Sequence, residues 1–342
     1  MNIEQLIRKN IRELKPYSSA RDEFDQAADV YLDANENPYT SAYNRYPDPL
    51  QKGLKEKISS IKQVAVNSIF LGNGSDEAID LLVRAFCVPG QDSIMTCEPT
   101  YGMYRVCAAV NDVNIKPVLL DQNFDLDVDV VKATIEPQTK IIFLCSPNNP
   151  TGNNLTRNRV IELIKWFGGI VVIDEAYIDF SEEKSFINEL ETFRNLVVLQ
   201  TFSKAWGLAG LRVGMCFADP VIISMLNRIK HPYNVSSESQ RIVSQQVSNT
   251  DNYEKTLTSI LTERTRMCQA LQALPFVRQV YPSAANFLLV RVEDSTQLYN
   301  TLLEQGIVVR NRTKLPRCEN CLRITIGTEQ ENNRLLEILN AI

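Results

Sequence analysis

A hydroxyl side chain directly before a lysine, with an arginine eight residues further on, marks the segment Thr201-Phe202-Ser203-Lys204-Ala205-Trp206-Gly207-Leu208-Ala209-Gly210-Leu211-Arg212. A primary amine can form a Schiff base with an aldehyde, while a hydroxyl and a guanidinium can hold a phosphate by charge-assisted hydrogen bonds. One small molecule carrying both groups would use the whole segment. Most lysines are simply solvated. Here Ser203 and the small residues from Gly207 to Gly210 describe a close-packed turn, where an exposed lysine is not expected.

Upstream, Asp174-Glu175-Ala176-Tyr177 follows the apolar run Gly169-Ile170-Val171-Val172-Ile173. A carboxylate at the end of a buried strand is costly unless it is paired. A protonated pyridine nitrogen would pair with Asp174, and the Tyr177 phenol could reach a ring oxygen. Aldehyde, phosphate, ring nitrogen and phenolic oxygen are the functional groups of pyridoxal 5'-phosphate. Two loops add weaker signals. Leu71-Gly72-Asn73-Gly74-Ser75-Asp76-Glu77 follows a strand and opens a helix, where free amides can bind phosphate; it also reads as an ordinary tight turn with acidic capping. It lacks the third glycine of a dinucleotide fingerprint and the Gly-Lys-Ser/Thr of an ATP-binding loop. Cys145-Ser146-Pro147-Asn148-Asn149-Pro150-Thr151-Gly152 presents stiffly held asparagine amides, though Asn, Pro and Gly are also the commonest turn residues.

These groups need a scaffold, and the chain is long enough to build one. Its 342 residues allow a large domain plus a smaller one. Apolar and charged contents of 44% and 23% fit a soluble globular protein. A net charge of -5 argues against nucleic acid or an anionic membrane as partner. The N-terminus lacks the apolar core of a signal peptide, and no apolar run reaches spanning length, so a cytoplasmic protein is expected. Of eight cysteines, six are scattered through apolar stretches as reduced core residues; Cys318 and Cys321 form a lone CxxC, and with His231 the only histidine no metal site is expected.

From about Ser68 to Phe217, short apolar runs alternate with helical stretches. Strands are expected at Ser68–Leu71, Ser93–Cys97, Ile115–Leu119, Lys140–Cys145, Ile170–Asp174, Leu196–Thr201 and Val213–Ala218, with helices at Asp76–Cys87 and Val160–Phe167. This is an α/β pattern: a mostly parallel seven-stranded sheet flanked by helices, with its ligand beyond the strand C-termini. Pro220–Lys230 and Ser236–Ala273 read as helical, the second as two helices or one bent one. Strands at Gln279–Tyr281 and Asn286–Val290, a helix at Thr296–Gln305, strands at Ile307–Arg310 and Leu322–Ile326, and a helix opened by the capping box Thr328-Glu329-Gln330-Glu331 complete a smaller α+β domain. The expected division is 1–44 as an arm and part of the small domain, 45–248 as the large domain and 249–342 as the small one.

The order Asn-Pro-Thr-Gly, Asp-x-x-Tyr, Ser-Lys, Arg resembles the fold-type I pyridoxal-phosphate aminotransferases over nearly the whole chain. Within them, the histidinol-phosphate aminotransferases are resembled through Leu14-Lys15-Pro16-Tyr17, Leu32-Asp33-Ala34-Asn35-Glu36-Asn37-Pro38, Arg45-Tyr46-Pro47-Asp48, Pro99-Thr100-Tyr101-Gly102-Met103-Tyr104 and Cys321-Leu322-Arg323-Ile324-Thr325-Ile326-Gly327-Thr328. The resemblance implies transamination of histidinol phosphate with 2-oxoglutarate, giving glutamate, in histidine biosynthesis. It implies that Lys204 carries the cofactor, Asp174 pairs with its ring nitrogen, Asn149 and Tyr177 bind its phenolic oxygen, and Tyr101 stacks on its ring. Gly74, Ser75 and Asp76, with Ser203 and Arg212, would hold the phosphate. A homodimer is implied too, with Tyr46 donated to that phosphate by the neighbouring subunit. Arg323 would select the substrate, with Arg310, Tyr17 and Asn35 as lesser candidates. Arg310 and Arg312 also read as part of a solvated basic loop, Arg-Asn-Arg-Thr-Lys. Trp206, which follows Lys204-Ala205, stands where members often carry another residue.

An aromatic or broad-range aminotransferase and a threonine-phosphate decarboxylase share most of these cofactor residues. A non-catalytic pyridoxal-phosphate-binding regulator would need a DNA-binding domain, for which the segment before Tyr46 is too short. Lys204→Ala is expected to remove the cofactor's covalent attachment and nearly all turnover. Steady-state transamination by the purified variant at the wild-type rate would overturn the assignment.

Overall fold

The computed structural model describes residues 2–15, 29–39 and 41–342, so Tyr17 lies outside the described residues. Seven strands form one sheet: β1 (Ile69–Asn73), β2 (Ser93–Glu98), β3 (Asn114–Leu119), β4 (Thr139–Cys145), β5 (Ile170–Asp174), β6 (Leu196–Thr201) and β7 (Val213–Ala218). Their spatial order is β1-β7-β6-β5-β4-β2-β3, and every pairing is parallel except the two made by β7. Strands packed on both faces must be apolar at successive positions rather than alternating. In β4, Ile141 and Phe143 enter one core layer while Ile142 and Leu144 enter the other. Helices Ser75–Phe86 and Pro220–Ile229 cover the first layer, and Arg157–Trp166 covers the second. Ile3 and Ile7 pack into the first layer, and the Arg8 amide donates to Ala85 O.

A second sheet holds β8 (Val277–Val280), β9 (Phe287–Val292), β10 (Arg310–Asn311) and β11 (Cys321–Thr325) in the antiparallel order β10-β11-β9-β8. Helices Asp251–Gln272, Ser295–Glu304 and Glu329–Ala341 share its core through Met267, Leu271, Leu302, Leu335 and Ile338. The Thr328 capping box forms as expected, with reciprocal bonds to Glu331. Residues 236–273 make two helices, Ser237–Val247 and Asp251–Gln272. The strand expected over Ile307–Arg310 is corrected to Arg310–Asn311. Gly306, at φ +75°, turns the chain out of the preceding helix, and Ile307 N still donates to Leu302 O, so pairing starts only at Arg310. Helices Lys52–Lys62, Met103–Val110 and Val128–Thr134 were not anticipated; Lys52–Lys62 buries only Leu54, Lys55 and Ile58, too sparse a stripe to read. Among the described residues, no helix is long and apolar enough to cross a membrane.

β7 is the one antiparallel strand of the large sheet, and it fixes the geometry of the ligand edge. It crosses so near the turn after β1 that a Cβ on Gly214 would lie 2.1 Å from Ser75 N. That contact is with backbone and cannot yield by a rotamer change. Gly214→Ala is expected to cost at least ~1–3 kcal/mol of stability by overpacking, read by denaturant unfolding. Unchanged stability would show that this approach is not tight.

Candidate active site

At one edge of the large sheet, the last residues of three strands and the turn after a fourth line a cavity of about 350 Å³. Cys145 closes β4, Asp174 closes β5, Thr201 closes β6, and the turn Gly74–Asp76 follows β1. Tyr101, Asn149, Ala176, Tyr177, Ser203, Lys204 and Arg212 complete that wall, and Arg310, Arg312 and Arg323 close it from the small sheet. Sequence order has thus become convergence in space, as expected beyond the C-terminal ends of parallel strands.

Asp174 sits at the floor, 3% exposed. Tyr104 O–H donates to its Oδ2 at 2.7 Å and the Ala176 amide to its Oδ1 at 3.1 Å. No lysine or arginine among the described residues pairs with it. Burial therefore dominates and pushes the carboxyl up to about 6, while the Tyr104 hydrogen bond pulls the other way. A buried carboxylate held only by neutral donors suits a cationic ligand group. Tyr104 is itself fully buried, stacked on Phe143 with ring centroids 4.8 Å apart. Nothing in the sequence marks Tyr104 for this role, because only the fold brings it to Asp174.

The close-packed turn expected around Lys204 is corrected: Lys204, Gly207 and Gly210 are exposed, with open space beside both glycines, and Lys204 lines the cavity. Its Nζ lies 5.6 Å from the centre of the Tyr177 ring. Desolvation by the surrounding protein, then the charge of Arg323, lowers its pKa below the usual lysine value, against the pull of Asp174. A lowered amine is a better nucleophile and base near neutrality. Trp206 stacks on Tyr253 at 4.2 Å and so ties the lysine loop to helix Asp251–Gln272.

On one side, Asn149 Nδ2 donates to Tyr177 Oη at 3.3 Å, and Arg323 Nη1 donates to Asn149 Oδ1 at 2.5 Å. Burial raises the Tyr177 phenol, so it stays protonated and able to donate. On the other side, Gly74 at φ +75° caps the 12-residue helix Ser75–Phe86 without a side chain over its amides. A Cβ there would lie 2.6 Å from Arg212 Nη2. Arg212 reaches Asp76 at 3.5 Å, and Tyr101 O–H donates to Asp76 at 3.1 Å. Bare helix amides, a guanidinium and the Ser203 hydroxyl are donors that could together hold a phosphate. An aldehyde-capturing amine, a carboxylate lacking a cation, paired amide and phenol, and an anion cradle fit pyridoxal 5'-phosphate.

Tyr46 and Asn35 do not line this cavity. Both border a wider one of about 860 Å³ on the outer face, with Tyr46 half-exposed and stacked on Tyr233 at 4.4 Å. Arg212 is common to the two cavities. Among the described residues no group of three His, Cys, Asp or Glu side chains gathers to hold a metal.

Fold and site together define a pyridoxal-phosphate-dependent transferase of fold type I. The chain belongs to the family Aminotransferase class I and II, which its residues 19–339 match, on the branch of the histidinol-phosphate aminotransferases. It is 55% identical over 338 residues to the histidinol-phosphate aminotransferase of Parabacteroides distasonis, covering 99% of this chain and 98% of that one. Identity to the enzyme of the same name from Bacteroides fragilis is 52%, with 98% of each chain covered. The crystal structure of the histidinol-phosphate aminotransferase from Clostridium acetobutylicum superposes with a TM-score of 0.80 at 25% identity, over 87% of this chain and 90% of that chain.

The buried carboxylate makes a testable demand on the cofactor-free protein. Raising a carboxyl from 3.8 to about 6 disfavours its ionised form by roughly 3 kcal/mol. Below 3.8 folded and unfolded chains both hold the proton, so no penalty exists; above about 6 both ionise, and only the folded chain bears it. Asp174→Asn is therefore expected to stabilise the cofactor-free protein at pH 8, an advantage that vanishes at acid pH, and to weaken cofactor retention. Equal unfolding midpoints for wild type and variant at pH 8 would contradict this.

Proposed function

We propose that the enzyme transaminates L-histidinol phosphate with 2-oxoglutarate, giving imidazole-acetol phosphate and L-glutamate in histidine biosynthesis. The observation that carries the reading is Arg323 reaching across from the small sheet to Asn149, beside Lys204 and with Arg310 on the same wall. A guanidinium there can grip either a carboxylate or a phosphate by paired hydrogen bonds. The two half-reactions require that versatility. Full-length kinship to the named relatives supports the same substrate pair.

When bound, the cofactor supplies an aldehyde that captures the substrate amine and a pyridinium that absorbs the electron pair left at the α-carbon. Asp174 would hold the proton on the ring nitrogen. Tyr177 and Asn149 would donate to the phenolic oxygen, and Tyr101 would cover the ring. The amides of Ser75 and Asp76, with Gly74 giving room and Ser203 and Arg212 donating, would hold the phosphate. Lys204 Nζ would hold the cofactor and, when free, serve as the base that takes the substrate's α-proton and as the acid that returns it. Residues 45–248 would then serve the cofactor and 249–342 the substrate's anionic end. A homodimer with Tyr46 reaching the neighbour's phosphate cradle is supported by the exposed apolar arm of Val30, Leu32, Tyr39 and Tyr43, which calls for cover.

L-Histidinol phosphate added to the holoenzyme without 2-oxoglutarate should convert the cofactor spectrum to that of pyridoxamine phosphate. Carbon dioxide release would instead indicate a decarboxylase. Conversion by phenylalanine but not by histidinol phosphate would move the reading to an aromatic aminotransferase.

A further inference from the structure

The small sheet presents three arginines to the cavity where one carboxylate-binding guanidinium would need only one. Arg310 faces Arg323 in the β10–β11 ladder, and the Arg312 amide donates to Cys321 O at 2.8 Å, so the ladder pattern extends past Asn311. Residues two apart on an extended strand share a face. Arg312 therefore joins Arg310 on the side turned to the cavity, and all three line it.

Among the described residues, no carboxylate forms an ion pair with any of the three. The neighbouring charges that weigh most on Arg312 are those of Arg323 and Arg310. Burial and the two neighbouring guanidinia bring its pKa down to about 10. Among the described residues, the buried Nε atoms of Arg312 and Arg323 have no hydrogen-bond partner. Among the described residues, Asp76 and Asp174 are the acids on the cavity wall; the first is engaged by Arg212 and Tyr101, the second by Tyr104. Arg323 already spends one nitrogen on Asn149, and Arg310 is exposed. Arg312, half-buried with free donors, is the guanidinium left to answer a further charge.

We propose that Arg312 binds substrate, completing with Arg310 and Arg323 a three-guanidinium seat that favours a phosphate dianion over a carboxylate; this rests on the phosphate-ester reading above. A carboxylate offers two oxygens and one charge, which a single bidentate guanidinium satisfies. A phosphate monoester offers three oxygens and nearly two charges, enough for several. Arg312 is thus a specificity-determining residue, acting on the half-reaction that takes the phosphate ester more than on the one that takes glutamate.

The test compares Arg312→Gln and Arg312→Lys with wild-type holoenzyme. For Arg312→Gln, the ratio of kcat/KM for histidinol phosphate to that for glutamate should fall by about tenfold or more, mostly through KM, as expected for one lost charge-assisted contact. Arg312→Lys should recover part of the ratio. Inhibition of the glutamate half-reaction by inorganic phosphate should weaken in Arg312→Gln. An unchanged ratio, whether both activities hold or both fall together, would overturn the proposal. Should wild type fail to turn over histidinol phosphate, the earlier reading falls on its own. Phosphate inhibition then still decides the role of Arg312, and equal inhibition of wild type and variant would refute it.

Discussion

Everything at the site is arranged around a negative charge that the protein has buried without a positive partner. Asp174 ends a strand whose every residue is buried, in the middle of a sheet covered on both faces. A carboxylate there is tolerated through the Tyr104 hydroxyl and one backbone amide, neither of which neutralises it. The stack of Tyr104 on Phe143 holds the hydroxyl in place, so part of the core serves to aim one hydrogen bond. The opposite imbalance stands across the cavity, where the small sheet gathers guanidinia without acids. A cofactor cationic at its ring nitrogen and a substrate with an anionic end would together resolve both.

Much of this was legible because buried parallel strands announce themselves. Ile170–Asp174, Leu196–Thr201 and Val213–Ala218 coincide with the expected limits, since continuous apolar runs have few alternative readings. Their ends carried the chemistry, so placing the strands placed Asp174, Lys204 and Arg212. Edges and short elements were harder. The strand near Arg310 depends on where Gly306 lets the chain leave its helix, a turn geometry that the apolar pattern of Ile307 to Val309 conceals. Lys52–Lys62 is a helix because tertiary contacts bury Leu54 and Ile58; its own sequence is mostly polar.

The site residues divide in the same way. Residues on strand ends were identifiable because burial and charge conflict there. Tyr104 was not, because a buried phenol on a helix is ordinarily core, and only the fold brings it to Asp174 across 70 positions of sequence. Arg312 looked like a member of a solvated basic loop, and local composition supported that. What separates it from such a loop is the hairpin pairing with β11, which the residues Arg-Asn-Arg-Thr-Lys do not announce. Tyr46 and Asn35 border a wider cavity that meets the inner one at Arg212, so this chain's own fold does not bring them to Lys204.

The reversed direction of β7 has a mechanical consequence. Because β7 runs antiparallel beside β6, the connection from Thr201 to Val213 begins and ends at the same sheet edge, so Lys204 and Arg212 ride on one short closed loop. That loop is also packed against the small domain, with Trp206 on Tyr253 and Ala205 in one apolar cluster with Phe287 of β9. A displacement of the small sheet would therefore be felt at Lys204 as well as at the arginines.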